Sequence, residues 1–188
     1  MSELFKNTHD ALTFAFHYSS QQYALSPMSK MIKTGITGSG KGLVALDGAG
    51  QAGLILAALG SMAQLKVHCI VARYSPKYSE CPCCGGEKPV QEWRESIVAL
   101  REWATSTFSG LSHSLVREAI ILNFYSRGVS MEQVAKRCNV PVKTVYNQRA
   151  KIHEALKVLD AAAQAEIADL LEVNGIVAEG VGARRACG

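Results

Sequence analysis

Apolar residues recur every three or four positions along most of the chain, a spacing that places them on one face of a helix. The first such run begins at Asn7 or Thr8, either of which can cap the free amides of a helix, and it ends near Ala24. Further helices are predicted over residues 48–63, 90–108 and most of 111–173. Residues 67–74 are too few for their spacing to distinguish a strand from a helix, and the helical neighbours favour a helix. The pattern therefore predicts a mainly α-helical fold.

The chain is predicted to have three parts. Residues 1–105 form a helical body that includes a glycine-rich loop and a cysteine knuckle, and residues 106–173 form a helix-turn-helix domain. Residues 174–188 hold four glycines and are expected to form a flexible tail. Within the body, the helix at 48–63 is expected to be buried and closely approached by a neighbour, because it is rich in small residues. These are Ala49, Ala52, Gly53, Ala57 and Ala58.

The helix-turn-helix prediction comes from three apolar faces separated by two turns. The first helix stops at Gly128, Ser130 can cap a short second helix, and Pro141 suits the first position of a third. The faces expected to pack together carry Val116, Ala119, Ile120 and Phe124, then Met131, Val134, Ala135 and Cys138, and finally Val145, Ile152, Leu156 and Leu159.

The opposite side of the third helix is polar and basic. It carries Lys143, Thr144, Asn147, Gln148 and Lys151. These side chains offer the donors and acceptors that read base edges in a major groove, which predicts a double-stranded DNA partner. Lys136 and Arg137 of the second helix are expected to contact phosphates. The alternative is a three-helix packing unit whose basic face is only solvated.

Residues 130–149 as a whole resemble the DNA-reading helix pair of sigma-factor region 4 and of LuxR-type regulators. The resemblance implies that the second helix supports the third, which enters the major groove. Six basic residues stand against three acidic ones between Ser130 and Asp160, and contacts with phosphates need such a local excess. The formal charge of the whole chain is only +4, so any contact with nucleic acid is expected to be local.

A cluster of cysteines suggests a metal site. Cys81 and Cys84 have the C-x-x-C spacing that lets two thiolates chelate one Zn²⁺, and two glycines follow. Cys69 with either His68 or Cys83 would complete a tetrahedral set. The alternative is that the clustered thiols are free and Cys69 is a small buried residue, with zinc and free thiols about equally favoured.

Composition and the positions of charged residues exclude several other classes of protein. In a chain of 188 residues, 48% hydrophobic and 19% charged residues are typical of a globular protein. The most apolar stretch is interrupted by Asp47, Gln51 and glycines, so no membrane span is predicted. The N-terminus is acidic where a secretory signal would be basic, which predicts a cytoplasmic protein.

No enzyme is predicted. The five histidines are dispersed, and none has an acidic or nucleophilic partner at a recognisable spacing. Residues 35–42 approach the phosphate-binding pattern G-x-x-x-x-G-K-[ST], but Gly42 stands where a hydroxyl must bind Mg²⁺. This segment is instead expected to be a mobile loop whose lysines contact phosphate or a protein partner.

The order of features resembles small phage-encoded transcription regulators: an N-terminal helix, a glycine loop, a cysteine knuckle and a sigma-like helix pair. Among them, the chain is interpreted as resembling the Q-type late antiterminators. That resemblance implies binding to a DNA element at a late promoter in a bacterial host cell, and loading onto paused RNA polymerase that holds its sigma factor. A repressor or activator is the near alternative, and a zinc-stabilised structural or protein-interaction module is the distant one. The first half is expected to contact polymerase or sigma factor, or else to complete the core or form a homodimer interface.

Overall fold

A computed structural model describes residues 5–24, 45–81, 83–108, 113–126 and 128–177. These residues form seven helices and one two-stranded antiparallel sheet, so the predicted mainly α-helical fold is confirmed. The elements in chain order are α1 (Thr8–Ala24), α2 (Ala45–Gly60), α3 (Gln64–Tyr74), β1 (Tyr78–Glu80), β2 (Glu87–Pro89), α4 (Gln91–Thr107), α5 (Ser114–Ser126), α6 (Met131–Arg137) and α7 (Val142–Val173). The predicted glycine loop at 35–42 lies outside the described residues. None of the helices described is both long enough and apolar enough to span a membrane.

Two local predictions about helices are confirmed. The side-chain oxygen of Asn7 accepts a hydrogen bond from the Asp10 amide at 2.8 Å, which caps the start of α1. The ambiguous run 67–74 is helical and lies in α3, where Cys69 to Ala72 are buried. The helix forms because α3 packs along α4, and this contact covers its apolar side.

The contacts divide the described chain into two compact units. One consists of residues 5–24 and 45–62 with 165–177, and the other of the described residues between 63 and 164. The predicted boundary between residues 105 and 106 falls inside the second unit, because α4 packs against both α3 and α5. The predicted helical body therefore contributes to both units.

In the first unit, α1 packs against α2 at a point of close approach. A Cβ atom at Gly48 would lie 3.2 Å from Cε2 of Tyr18, so glycine permits this contact. The expectation that the helix at 48–63 is buried holds for one face only. Of the small residues expected to be covered, Ala52 and Ala58 are buried and Ala49, Gly53 and Ala57 are exposed.

The prediction of a flexible tail is wrong for the first residues of that segment. Gly175 adopts a φ of +65°, and the Ile176 amide then donates to the Leu171 carbonyl at 2.9 Å, which closes the end of α7. Ile176 and Val177 are buried, and Phe5 pairs with Val177 in an isolated parallel bridge. The turn thus brings two apolar residues back into the first unit. The rest of the predicted tail, residues 178–188, lies outside the described residues.

In the second unit, an ion pair between the exposed Arg73 and the buried Asp160 joins α3 to α7. The Arg73 guanidinium donates to both carboxylate oxygens of Asp160, at 3.2 and 2.6 Å, and the Gln164 amide donates to the same carboxylate at 2.6 Å. Asp160 is almost completely buried, and these side chains supply hydrogen bonds that water would otherwise make to its carboxylate. This contact fixes the position of the middle of α7 relative to α3.

Candidate nucleic-acid interface and thiol cluster

The chain between α6 and α7 makes a four-residue turn. The Ser130 hydroxyl accepts a hydrogen bond from the Gln133 amide, so Ser130 caps α6 as predicted. Asn139 has a φ of +52°, a left-handed conformation that asparagine adopts more readily than most residues. The Pro141 carbonyl then accepts hydrogen bonds from Thr144 and Val145, at 2.9 and 3.2 Å, and begins α7. Proline fits here because its missing amide would have no partner in a first helical turn.

The apolar faces of α5, α6 and α7 are largely buried where the sequence predicts. The fully or almost fully buried residues are Val116, Ala119, Ile120, Met131, Ala135, Val145, Ile152 and Leu156. Val134 and Cys138 in α6, Phe124 in α5 and Leu159 in α7 are half-buried. Because Val145 and Ile152 are covered, the rotation of α7 about its axis is fixed.

That rotation exposes most of the predicted DNA-contacting residues. Lys143, Asn147 and Lys151 follow one another at intervals of four along α7 and are all exposed. Thr144 and Gln148 occupy the next row around the helix and are half-buried. In α6, both Lys136 and Arg137 are exposed. The outer side of α7 therefore presents amide, hydroxyl and ammonium groups in one continuous strip.

A polar contact between α6 and α7 was not anticipated from the sequence. The Tyr146 hydroxyl donates to one oxygen of the Glu132 carboxylate, and the Ser130 hydroxyl donates to the other at 2.8 Å. The Tyr146 hydrogen bond lowers the pKa of Glu132, and the same bond raises the pKa of Tyr146. The Arg149 guanidinium lies 5.9 Å from the centre of the Tyr146 ring. Tyr146 lies fourteen positions after Glu132, so no local sequence pattern indicates that they meet.

The thiol cluster lies at the turn of the β1–β2 hairpin. The Cys81 amide donates to the Gly86 carbonyl at 2.7 Å, and the Gly85 amide donates to the Cys81 carbonyl at 2.9 Å. Gly85 has a φ of +68°, which a residue with a side chain would adopt only with strain. This tight turn brings the sulfur atoms of Cys81, Cys83 and Cys84 within 4.8 Å of one another. The cluster can therefore hold a metal ion.

The three thiols differ in their environment. Cys81 is half-buried, whereas Cys83 and Cys84 are exposed. The Sγ atoms of Cys81 and Cys83 are 2.9 Å apart, and this hydrogen bond lowers the pKa of Cys81 to about 7. The same contact raises the pKa of Cys83. The lowered pKa of Cys81 favours its thiolate, which is the form that binds metals.

Cys69 and His68, two of the predicted ligands, lie outside this cluster. Cys69 is fully buried in α3, and burial raises its pKa to about 11. The Nδ1 atom of His68 lies 3.1 Å from the Ser96 hydroxyl, and burial lowers the His68 pKa. The structure therefore replaces the expected set with Cys81, Cys83 and Cys84. Cys69 to Ala72 are all buried, so this turn of α3 is covered on every side, and the apolar residues after Cys69 are consistent with its burial.

A comparison of the chain with models of protein families finds no match, and neither does a comparison with curated proteins.

Proposed function

We propose that the chain is a sequence-specific DNA-binding regulator of transcription, with α7 as the helix that enters the major groove. The observation that supports this best is the division of α7 into two sides. Val145 and Ile152 are fully buried, and Lys143, Asn147 and Lys151 are exposed in a row on the side away from the core. A helix held firmly by its apolar side and polar on the other has the properties that reading a groove requires.

The polar strip on the outer side of α7 carries side chains suited to contacts with bases and to contacts with phosphates. Asn147 and Gln148 carry amides, which can make paired hydrogen bonds with adenine in the major groove. Lys143 and Lys151 lie on either side of Asn147 and can contact phosphates or guanine. Lys136 and Arg137 add exposed positive charge at the end of α6. The proposal therefore assigns base reading to the amides and sequence-independent affinity to the cations.

The resemblance to Q-type late antiterminators favours a specific form of this function. In that form the chain binds a DNA element near a late promoter and then acts on RNA polymerase and its sigma factor. A repressor or activator would use the same α7 surface. The difference between them lies in what the bound protein does to polymerase.

We also propose that the metal held by the thiol cluster is zinc. Three sulfur atoms within 4.8 Å form a soft ligand set, and Cys81 and Cys84 keep the spacing of zinc knuckles. A hairpin with two strands of three residues is marginally stable in water, so a bound ion would stabilise it. Metal content of the purified full-length protein tests this assignment directly.

DNA selection tests the main proposal. The full-length protein is used to recover duplexes from a random pool, and the enriched sequences are compared with those enriched by a Lys143→Ala, Asn147→Ala variant. We expect the wild type to enrich one motif and the variant to lose it. Recovery of no motif, or of the same motif by both proteins, would contradict the assignment of α7.

Transcription in vitro separates the two forms of regulation. A template carrying the selected motif upstream of a terminator is transcribed by bacterial RNA polymerase with and without the protein. Increased readthrough supports antitermination. Loss or gain of initiation, with termination unchanged, supports a repressor or an activator instead.

A further inference from the structure

The thiol cluster offers three ligands of the same kind. Zinc is almost always four-coordinate in proteins, so zinc bound by three cysteines needs a fourth group such as a water molecule. Among the described residues, no further histidine, cysteine, aspartate or glutamate joins the group formed by Cys81, Cys83 and Cys84. A zinc ion held here would therefore receive three of its four ligands from this group.

The three sulfurs form one mutually interacting set. The Sγ atoms of Cys81 and Cys83 are 2.9 Å apart, and the Cys84 thiol interacts with both of these residues. The Cys84 sulfur lies 3.5 Å from a Cβ position built on Gly86, so it lies beside the backbone of the same tight turn. All three sulfurs are within 4.8 Å of one another. Because no thiol is separated from the other two, the arrangement favours a site that uses all three.

Cu(I) is an ion whose coordination is satisfied by three thiolates. Thiolates are soft ligands, and Cu(I) and zinc are both among the ions that soft ligands select. Cu(I) carries a single positive charge and forms stable planar complexes with three thiolates, whereas zinc prefers a tetrahedron of four ligands. The number of sulfurs in the cluster therefore matches Cu(I) better than it matches zinc.

The turn that carries the thiols is open to an ion from solvent. Cys83 and Cys84 are exposed, and Cys81 is half-buried. All three residues of the neighbouring strand β2 are exposed as well. An incoming ion can therefore reach the sulfurs without any rearrangement of the core.

We propose that the thiol cluster is a Cu(I) site in which Cys81, Cys83 and Cys84 all bind the ion, and that Cu(I) displaces zinc from it. The step is a ligand exchange: the bonds from zinc to sulfur break, three bonds from copper to sulfur form, and zinc returns to solvent. Any thiol that is still protonated releases its proton on binding. Copper arrives and remains as Cu(I), so no oxidant or reductant is consumed. This inference rests on the proposed metal site and names a second occupant for it.

Metal exchange on the full-length protein tests the proposal. Reduced protein, with and without zinc, is titrated in the absence of oxygen with Cu(I) supplied as its acetonitrile complex, and bound copper and released zinc are both counted. We expect one copper bound and one zinc released per chain. Zinc that stays bound in the presence of equimolar Cu(I) would overturn the Cu(I) site and leave the zinc assignment standing. Cu(I) bound by protein that takes up no zinc would do the reverse, and binding of neither ion would overturn both.

X-ray absorption spectroscopy of the copper-loaded protein counts the ligands. We expect three sulfur neighbours around each copper and no nitrogen or oxygen neighbour. Two sulfur neighbours would show that one of the cysteines does not bind. A fourth neighbour would show that the site is not three-coordinate, and either result would overturn the proposal.

Matched serine variants identify the ligands. Cys81→Ser, Cys83→Ser and Cys84→Ser should each weaken Cu(I) binding at least about tenfold in competition with a Cu(I) chelator, because losing even an outer partner of a metal ligand costs about that much. Two control variants should bind Cu(I) as the wild type does: Cys138→Ser at the end of α6, and Cys187→Ser, which lies outside the described residues. Circular dichroism verifies that every variant retains the helical content of the wild type. Wild-type affinity in any cluster variant, or weakened binding in either control, would overturn the assignment of the three ligands.

Discussion

The helix pair, formed by α6 and residues 142–164 of α7, belongs to the same compact unit as the β1–β2 hairpin, and the two are stabilised in opposite ways. In the helix pair, apolar residues such as Val145 and Ile152 are fully buried, and polar groups remain outside. In the hairpin, every residue of β2 is exposed and the turn is held by backbone hydrogen bonds and neighbouring thiols. The first region should keep its structure without any ligand. The second has little buried apolar area, so its order should depend on a metal.

The largest expected effect is on the core of the helix pair. Ile152→Ala should lower the free energy of unfolding by about 2–5 kcal/mol, because it leaves a cavity under α7. The adjacent exposed Lys151→Ala should change it by less than about 0.5 kcal/mol. Urea unfolding of both variants measures the difference. Equal losses of stability would mean that the two sides of α7 are not distinct.

The next largest expected effect is the stabilisation of the hairpin by zinc. If only the folded protein binds zinc, a free zinc concentration 100 times the Kd should stabilise it by about 2.7 kcal/mol. The change should appear as a rise in melting temperature that chelator reverses. Amide hydrogen exchange should show that zinc slows exchange in residues 78–89 more than in α6 and α7. An unchanged melting temperature with and without zinc would favour free thiols.

A substitution at an exposed base-reading residue should weaken DNA binding without changing the stability of the fold. Asn147→Ala should weaken binding to the selected duplex by about 1–3 kcal/mol if Asn147 makes a paired contact with a base. Arg94→Ala, an exposed change on α4, is the control and should bind as the wild type does. Fluorescence anisotropy with labelled duplex measures both. Wild-type affinity in Asn147→Ala would exclude Asn147 from base reading.

A smaller effect on DNA affinity is expected when a residue proposed to contact phosphate is replaced. Lys136→Ala and Arg137→Ala should each reduce affinity for all duplexes alike and lower the slope of log K against log [salt] by about 0.9. Titrations at several salt concentrations, with selected and unrelated duplexes, measure that slope. A loss confined to the selected sequence would instead place these side chains against bases.

The smallest effect is a pH dependence within the helix pair. The pKa of Glu132 is lowered in the folded protein, mainly by the Tyr146 hydrogen bond, so the contact stabilises the fold when Glu132 is ionised. Its contribution is fully present above the ordinary glutamate pKa and is lost as the pH falls through the lowered value. Tyr146→Phe should therefore be less stable than the wild type at neutral pH and equal to it in acid. Urea unfolding at both pH values checks this, and a difference that persists in acid would contradict it.

Most of the helices could be predicted from the sequence because the buried side of a helix repeats every three or four residues. The buried positions Met131, Ala135, Val145 and Ile152 follow from that repeat alone. The strands of the hairpin could not be predicted this way, since three residues are too few for an alternating pattern to be recognised. The end of α7 was also missed, because glycines in a terminal segment suggest flexibility, yet Gly175 forms a turn that buries Ile176.

The sequence by itself determined the helical class, the polar side of α7 and the C-x-x-C spacing of Cys81 and Cys84, because each depends on residues close together in the chain. Only the tertiary structure decided which other groups meet. It buried Cys69 in α3 instead of placing it beside the other thiols. It also joined Glu132 of α6 to Tyr146 of α7. Such pairs depend on how elements pack, and packing is set by the sum of many contacts between residues far apart in sequence.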